Sequence, residues 1–130
     1  MIKTTTQLKS QVLITVGFFL FACSLLVRAD IEQIQQLIAD GDFNDALRVA
    51  DAELAKDQDN VSYRFLKGLI LTRQDRLEQA RDIFLDITRT NPELPEPYNN
   101  LAVIYAALGD FDQARTALEE AINTHPSYAT

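Results

Sequence analysis

The feature that most constrains this chain is its internal period. Gly41-Asp42-Phe43 recurs 68 residues on as Gly109-Asp110-Phe111, and Asp75-Arg76-Leu77 stands midway. Ala46, Ala80 and Ala114 follow at the same 34-residue interval, as do Leu37, Leu71 and Tyr105, and Asn91-Pro92 is echoed by His125-Pro126. A period of this length means one supersecondary unit used repeatedly, each copy burying its apolar face on the next.

The spacing inside the period is helical. Tyr98, Leu101, Ala102, Tyr105 and Leu108 mark one stripe; Phe111, Ala114, Leu118, Ala121 and Ile122 mark the next. Leu77, Ala80, Ile83, Phe84 and Ile87 repeat the logic in the middle copy, and Pro92, Pro95 and Pro97 punctuate the passage to the third. Each period thus reads as a helix hairpin. Ala46, Ala80 and Ala114 are short because antiparallel helices approach closely only over small side chains. Asp110 with Gln113 predicts a reciprocal cap on the last helix. The expected fold is all-α: three antiparallel pairs near 31–56, 61–90 and 95–124, stacked as a short right-handed α-solenoid after a separate N-terminal helix.

These residues resemble the tetratricopeptide repeat. Tyr98, Leu101, Ala102, Tyr105, Gly109, Phe111, Ala114, Leu118, Ala121 and Pro126 look like one complete copy over 95–128. The 61–94 copy matches at Gly68, Leu71, Ala80, Phe84 and Pro92 but departs at Arg64 and Lys67, where the family prefers apolar residues, so its first helix is expected to pack unusually. The 30–60 copy keeps Leu37, Gly41, Phe43 and Ala46, lacks the closing proline at Gln58, and reads as a degenerate first repeat. Residues 129–130 would open a further one, so the chain reads as the N-terminal part of a longer protein, or as one whose C-terminal edge around Leu118 and Ile122 is covered by a partner or by oligomerisation. The wording of FLKGLIL, NPELPEPYNNLAVIYAALGDFDQAR and AINTHPSYAT is similar to exported Gram-negative bacterial repeat proteins.

Residues 1–29 read as an address. Lys3 and Lys9 precede a 16-residue apolar run from Val12 to Val27, short of the roughly 20 residues a membrane-spanning helix needs. Signal cleavage after Ala29 is the expected outcome; an uncleaved membrane anchor, or lipidation at Cys23 in Leu20-Phe21-Ala22-Cys23, are the alternatives. All three send the body across the inner membrane, giving the periplasm as the expected location, free or membrane-anchored.

Composition removes several classes of function. Downstream of Ala29 nine basic residues face 19 acidic ones, a net of −10, which disfavours a nucleic-acid partner. One Cys and one His, Cys23 and His125, supply neither a disulfide nor a zinc site, and leave nucleophilic catalysis without a positioned base. No catalytic residue, metal or cofactor is assigned. Asp40, Asp42 and Asn44 have the opening spacing of a calcium loop, but Asp45 stands where glycine is required, so a solvated turn is the better reading. Glu119 and Glu120 diverge by about 100° on a helix and read as a wet face. His125 before Pro126 reads as a helix-end cation. Asn60-Val61-Ser62 is a formal glycosylation acceptor with no weight in a bacterium.

The resemblance implies that the first helix of each pair lines a concave groove holding extended peptides. On that basis Phe65, Leu69, Thr72 and Arg73 in the second repeat, and Asn99, Asn100 and Val103 in the third, are the expected contacts. Asn100 serves equally as a structural amide between packed helices. The expected function is a non-catalytic exported scaffold binding a protein or peptide partner, in the assembly of an envelope complex. The alternatives are a membrane-anchored oligomerising element, or the recruiting arm of a longer protein whose activity lies in a C-terminal domain.

Overall fold

The computed structural model describes residues 30–124. The readings that fall on Cys23, on cleavage after Ala29, and on His125 and Pro126 lie outside the described residues. The chain divides between Gln33 and Ile34 into two compact units, and the packing below is that of the unit beginning at Ile34.

Every described secondary element is helical: α1 over residues 30–40, α2 Phe43–Lys56, α3 Val61–Arg73, α4 Leu77–Thr90, α5 Pro95–Ala107 and α6 Phe111–Asn123. None of the described helices is long and apolar enough to cross a membrane. From α2 onward each helix packs on the next in chain order, the arrangement expected of stacked hairpins.

The hairpin turns explain the three-residue echo in the sequence. Each first helix ends on a residue in the left-handed region, where a Cβ is costly: Gly41 at φ 83°, Asp75 at φ 60° and Gly109 at φ 82°. The next amide reaches back five residues: Asp42 N–H donates to Leu37 O at 2.9 Å, Arg76 N–H to Leu71 O at 2.9 Å and Asp110 N–H to Tyr105 O at 2.8 Å. This closure satisfies carbonyls that a helix C-terminus otherwise leaves bare, and it lets the second helix start two residues later. It also corrects the expected reciprocal cap. Asp110 Oδ1 does accept from Gln113 N–H at 3.2 Å, but the Asp110 amide that Gln113 would satisfy is already donated to Tyr105 O. The α3 N-terminus is capped in the same one-sided way, Asn60 Oδ1 accepting from Tyr63 N–H at 3.3 Å, while Pro95 opens α5 where its missing N–H costs nothing.

The core runs through Leu71 of α3, Ala80, Phe84 and Ile87 of α4, Leu101, Ala102 and Ile104 of α5, and Ala117 of α6. Ala46, Ala80 and Ala114 are buried as their small size requires. Phe84 is fully buried and lies across Gly68: a Cβ built on that glycine would stand 2.7 Å from Phe84 Cζ. Phe65 meets the same ring in a T-shaped contact, centroids 5.4 Å apart with planes at 72°.

The apolar stripe of α6 is only half used. Ala114, Ala117 and Ala121 are buried, whereas Phe111, Leu118 and Ile122 are 72%, 49% and 56% exposed. One period earlier, on α4, which α5 covers, Phe84 occupies the place of Leu118 and is 0% exposed, and Thr88 the place of Ile122 at 8%.

Candidate interaction groove

α3 and α5 are the first helices of consecutive hairpins, both packed on α4, so equivalent residues lie 34 apart: Phe65 with Asn99, Leu69 with Val103, Arg73 with Ala107. Phe65, Leu69 and Arg73 are four residues apart along α3, and side chains at that interval share a face. Asn99 and Val103 are related in the same way on α5.

The seven residues expected to contact a ligand fall into three groups. Phe65 and Leu69 are half-buried and pack against the core, so they offer apolar edges rather than whole side chains. Thr72 and Asn100 are engaged with their own helices: Thr72 Oγ1 donates to Gly68 O at 2.9 Å and Asn100 Nδ2 to Glu96 O at 2.8 Å. The Asn100 carboxamide therefore has a structural use, with its oxygen still available as an acceptor. Asn99, Val103 and Arg73 are exposed, Val103 by 64%.

The electrostatics of these helices are distinctive. α3 has no acidic residue and α5 has only Glu96, at its N-terminal end, whereas α2, α4 and α6 each carry several carboxylates. Negative charge is thus concentrated on the second helices, where Arg48 pairs with Asp45, Arg81 with Asp82 and Arg115 with Asp112.

Arg64 and Lys67 do pack unusually. Arg64, its side chain only 15% exposed, pairs with Asp86 of α4, which also holds Arg89. Lys67 Nζ lies 2.7 Å from Asp51 Oδ1 of α2. The one departure from the apolar pattern therefore ties α3 to both neighbours with ion pairs, beside a shallow hollow of about 250 Å³ walled by Leu54 and Ile83. Sequence reading marked these two cations as odd, but their partners sit 22 and 16 residues away on different helices, which no local spacing reveals. A second inter-repeat tie runs through the hairpin turns, Gln74 Nε2 donating to Asn44 Oδ1 at 2.9 Å. No group of three or more metal-ligating side chains occurs among the described residues.

Comparison with known proteins agrees with this geometry. Over 78 residues the chain is 30% identical to a TPR repeat-containing thioredoxin, TTL4, of Arabidopsis thaliana; the match takes in 60% of this chain and 11% of that protein. Among solved structures, YrrB, "a TPR protein with an unusual peptide-binding site", superposes with a TM-score of 0.69 at 22% identity, over 75% of this chain and 50% of that one. The type III secretion translocator chaperone SycD of Yersinia enterocolitica superposes with a TM-score of 0.71 at 14% identity, over 78% and 80% of the two chains. These two likenesses speak to fold alone, and the chain spans about a tenth of the length of the curated relative. The family described as "Psidin, N-terminal TPR repeats region" matches residues 30–129. With the 34-residue period, the left-handed hairpin turns and the stacked helices, that match places the chain in the tetratricopeptide-repeat family, as a helical scaffold for protein–protein interaction.

Proposed function

We propose that this chain is a non-catalytic exported scaffold that holds an extended segment of a partner protein against α3 and α5, and that it serves the assembly of a complex in the Gram-negative cell envelope. The observation that carries the reading is the composition of those two helices. They expose Asn99, Val103 and Arg73 beside the apolar edges of Phe65 and Leu69, and they are nearly free of carboxylates in an otherwise acidic body. Amides that bond a peptide backbone, apolar edges that take its side chains, and a shortage of carboxylates suit an extended ligand that is not strongly basic. YrrB is described as having a peptide-binding site and SycD as a chaperone, which supports a peptide-holding use of the same fold here. Export rests on the N-terminal segment: Lys3 and Lys9 before the apolar run direct residues 30–130 to the periplasm, whether the segment is removed after Ala29, retained as an anchor or lipidated at Cys23.

The test is affinity capture from envelope extract with the chain and with an Asn99→Ala, Val103→Glu variant shown by circular dichroism to keep its helicity. Both positions are exposed, so the fold should tolerate the change. A partner captured by the parent and lost by the variant supports the groove; identical capture by both, or by neither, removes it.

A second reading is favoured by one observation, the exposed apolar face of Phe111, Leu118 and Ile122 on α6. In that reading the chain is an oligomerising element, anchored by its N-terminal segment. Sedimentation of the parent against Leu118→Lys, Ile122→Lys separates the two: a change of oligomeric state belongs to this reading alone.

A further inference from the structure

The apolar stripe exposed on α6 has a flank that is complementary to itself. At 3.6 residues per turn Phe111, Leu118 and Ile122, the large exposed apolar residues of this helix, fall within an arc of about 40°. Arg115 and Glu119, both exposed, lie along one side of that arc, about 40° and 80° round from Phe111. The other two second helices, each packed against the helix that follows, carry Leu47 with Asp51 and Arg81 with Leu85 at these positions. Of the three, then, only the helix with the exposed stripe sets an arginine four residues ahead of a glutamate.

We propose that this face receives a second copy of the chain, α6 against α6 in antiparallel; the proposal rests on the oligomerising reading above and names its partner and register. With a twofold axis passing between Thr116 and Ala117, Phe111 of one copy comes level with Ile122 of the other, and Leu118 comes level with the aliphatic stem of Arg115. The axis is perpendicular to both helices, so like flanks meet. Arg115 then falls within one residue's rise, about 1.5 Å along the helix, of Glu119 of the second copy, and symmetry makes the contact twice. Arg115 gives one N–H to Asp112 at 3.1 Å, and its guanidinium keeps others to donate. A parallel pairing in register would set arginine beside arginine and glutamate beside glutamate, so the charges select the antiparallel one. α4 shows what a covering helix does at the same positions, where Phe84 is 0% and Thr88 8% exposed beneath α5.

The experiment is sedimentation of the full chain over a range of concentrations, at physiological ionic strength, where the long-range repulsion between two bodies of net −10 is largely screened. The parent is compared with Leu118→Lys, Ile122→Lys, with Arg115→Glu, with Glu119→Arg, and with the double reversal Arg115→Glu, Glu119→Arg. All four positions are exposed, and circular dichroism verifies that each variant keeps its helicity. The parent should pass from monomer to dimer below millimolar concentration. Each single reversal acts on both sides of the axis and should weaken the dimer at least tenfold, whereas the double reversal should return it to within threefold of the parent. The N-terminal segment is common to every variant, so a difference among them belongs to α6. A parent that stays monomeric leaves the face to a different partner, and association that the lysine pair does not change belongs to another surface; either result removes the oligomerising reading and the proposal with it. Association that the lysine pair abolishes, but that the single reversals leave intact or the double reversal fails to restore, keeps the oligomerising reading and overturns the antiparallel register.

Discussion

Gly68→Ala is the substitution whose sign the structure decides most sharply. In a helix interior alanine is favoured over glycine by about 1 kcal/mol, so α3 alone would gain. Against that, the new Cβ would lie 2.7, 2.9 and 3.0 Å from three carbons of the Phe84 ring, where ordinary contact begins near 3.4 Å. The ring must retreat by about 0.7 Å, and it is fully buried with Phe65 packed against it. Overpacking of this kind costs roughly 1–3 kcal/mol, and a rigid, enclosed aromatic belongs at the upper end. The net expectation is a loss of about 1–2 kcal/mol, which for a unit of this size lowers the melting temperature by roughly 4–12 °C. Urea and thermal unfolding followed by circular dichroism measure it. The mechanism has its own control in Phe84→Leu: once the ring is gone, Gly68→Ala should become neutral or stabilising, a coupling of about 1–3 kcal/mol in the double-mutant cycle. A single Gly68→Ala variant that melts higher than the parent, or a cycle with no coupling, refutes the argument that the glycine is there for the ring.

Asp75→Gly should stabilise the chain by about 0.5–1 kcal/mol, because it relieves a left-handed backbone at φ 60° that the two neighbouring turns give to glycine; the melting temperature should rise by a few degrees. Asn60→Ala removes the side-chain acceptor of Tyr63 N–H and should cost about 1 kcal/mol in urea unfolding. Asp86→Ala leaves the largely buried Arg64 without its carboxylate and should cost about 1–2 kcal/mol, more than Arg64→Leu, which removes the charge instead of stranding it; the order of the two midpoints tests the ion pair.

The period, the helix pairs and their small residues were legible in the sequence because each is a local pattern repeated in register. Asp75 hid its turn, since only its place midway between Gly41 and Gly109 betrays the left-handed backbone. The groove was legible as a set of positions, but not in what those side chains do: Thr72 and Asn100 spend a donor on the helix that bears them, a choice set by rotamer and not by residue type. The ties of Arg64 to Asp86 and Lys67 to Asp51 were invisible because helix stacking, not sequence distance, brings those partners together.

The fit of Phe84 over Gly68 bears on how the chain sorts its own helices. At the same two register positions the third hairpin carries Ala102 with Leu118 and the first Ile34 with Ala50, so each hairpin divides the space between its helices differently. Arrays of similar units are prone to mispairing during folding, when a helix meets the counterpart of its true neighbour. Here α5 against α4 in the hairpin register would set an alanine under the phenylalanine ring, the same overlap that Gly68 avoids. Units alike enough to stack are thus dissimilar enough, at this one pair of positions, for α4 to favour α3 as its hairpin mate.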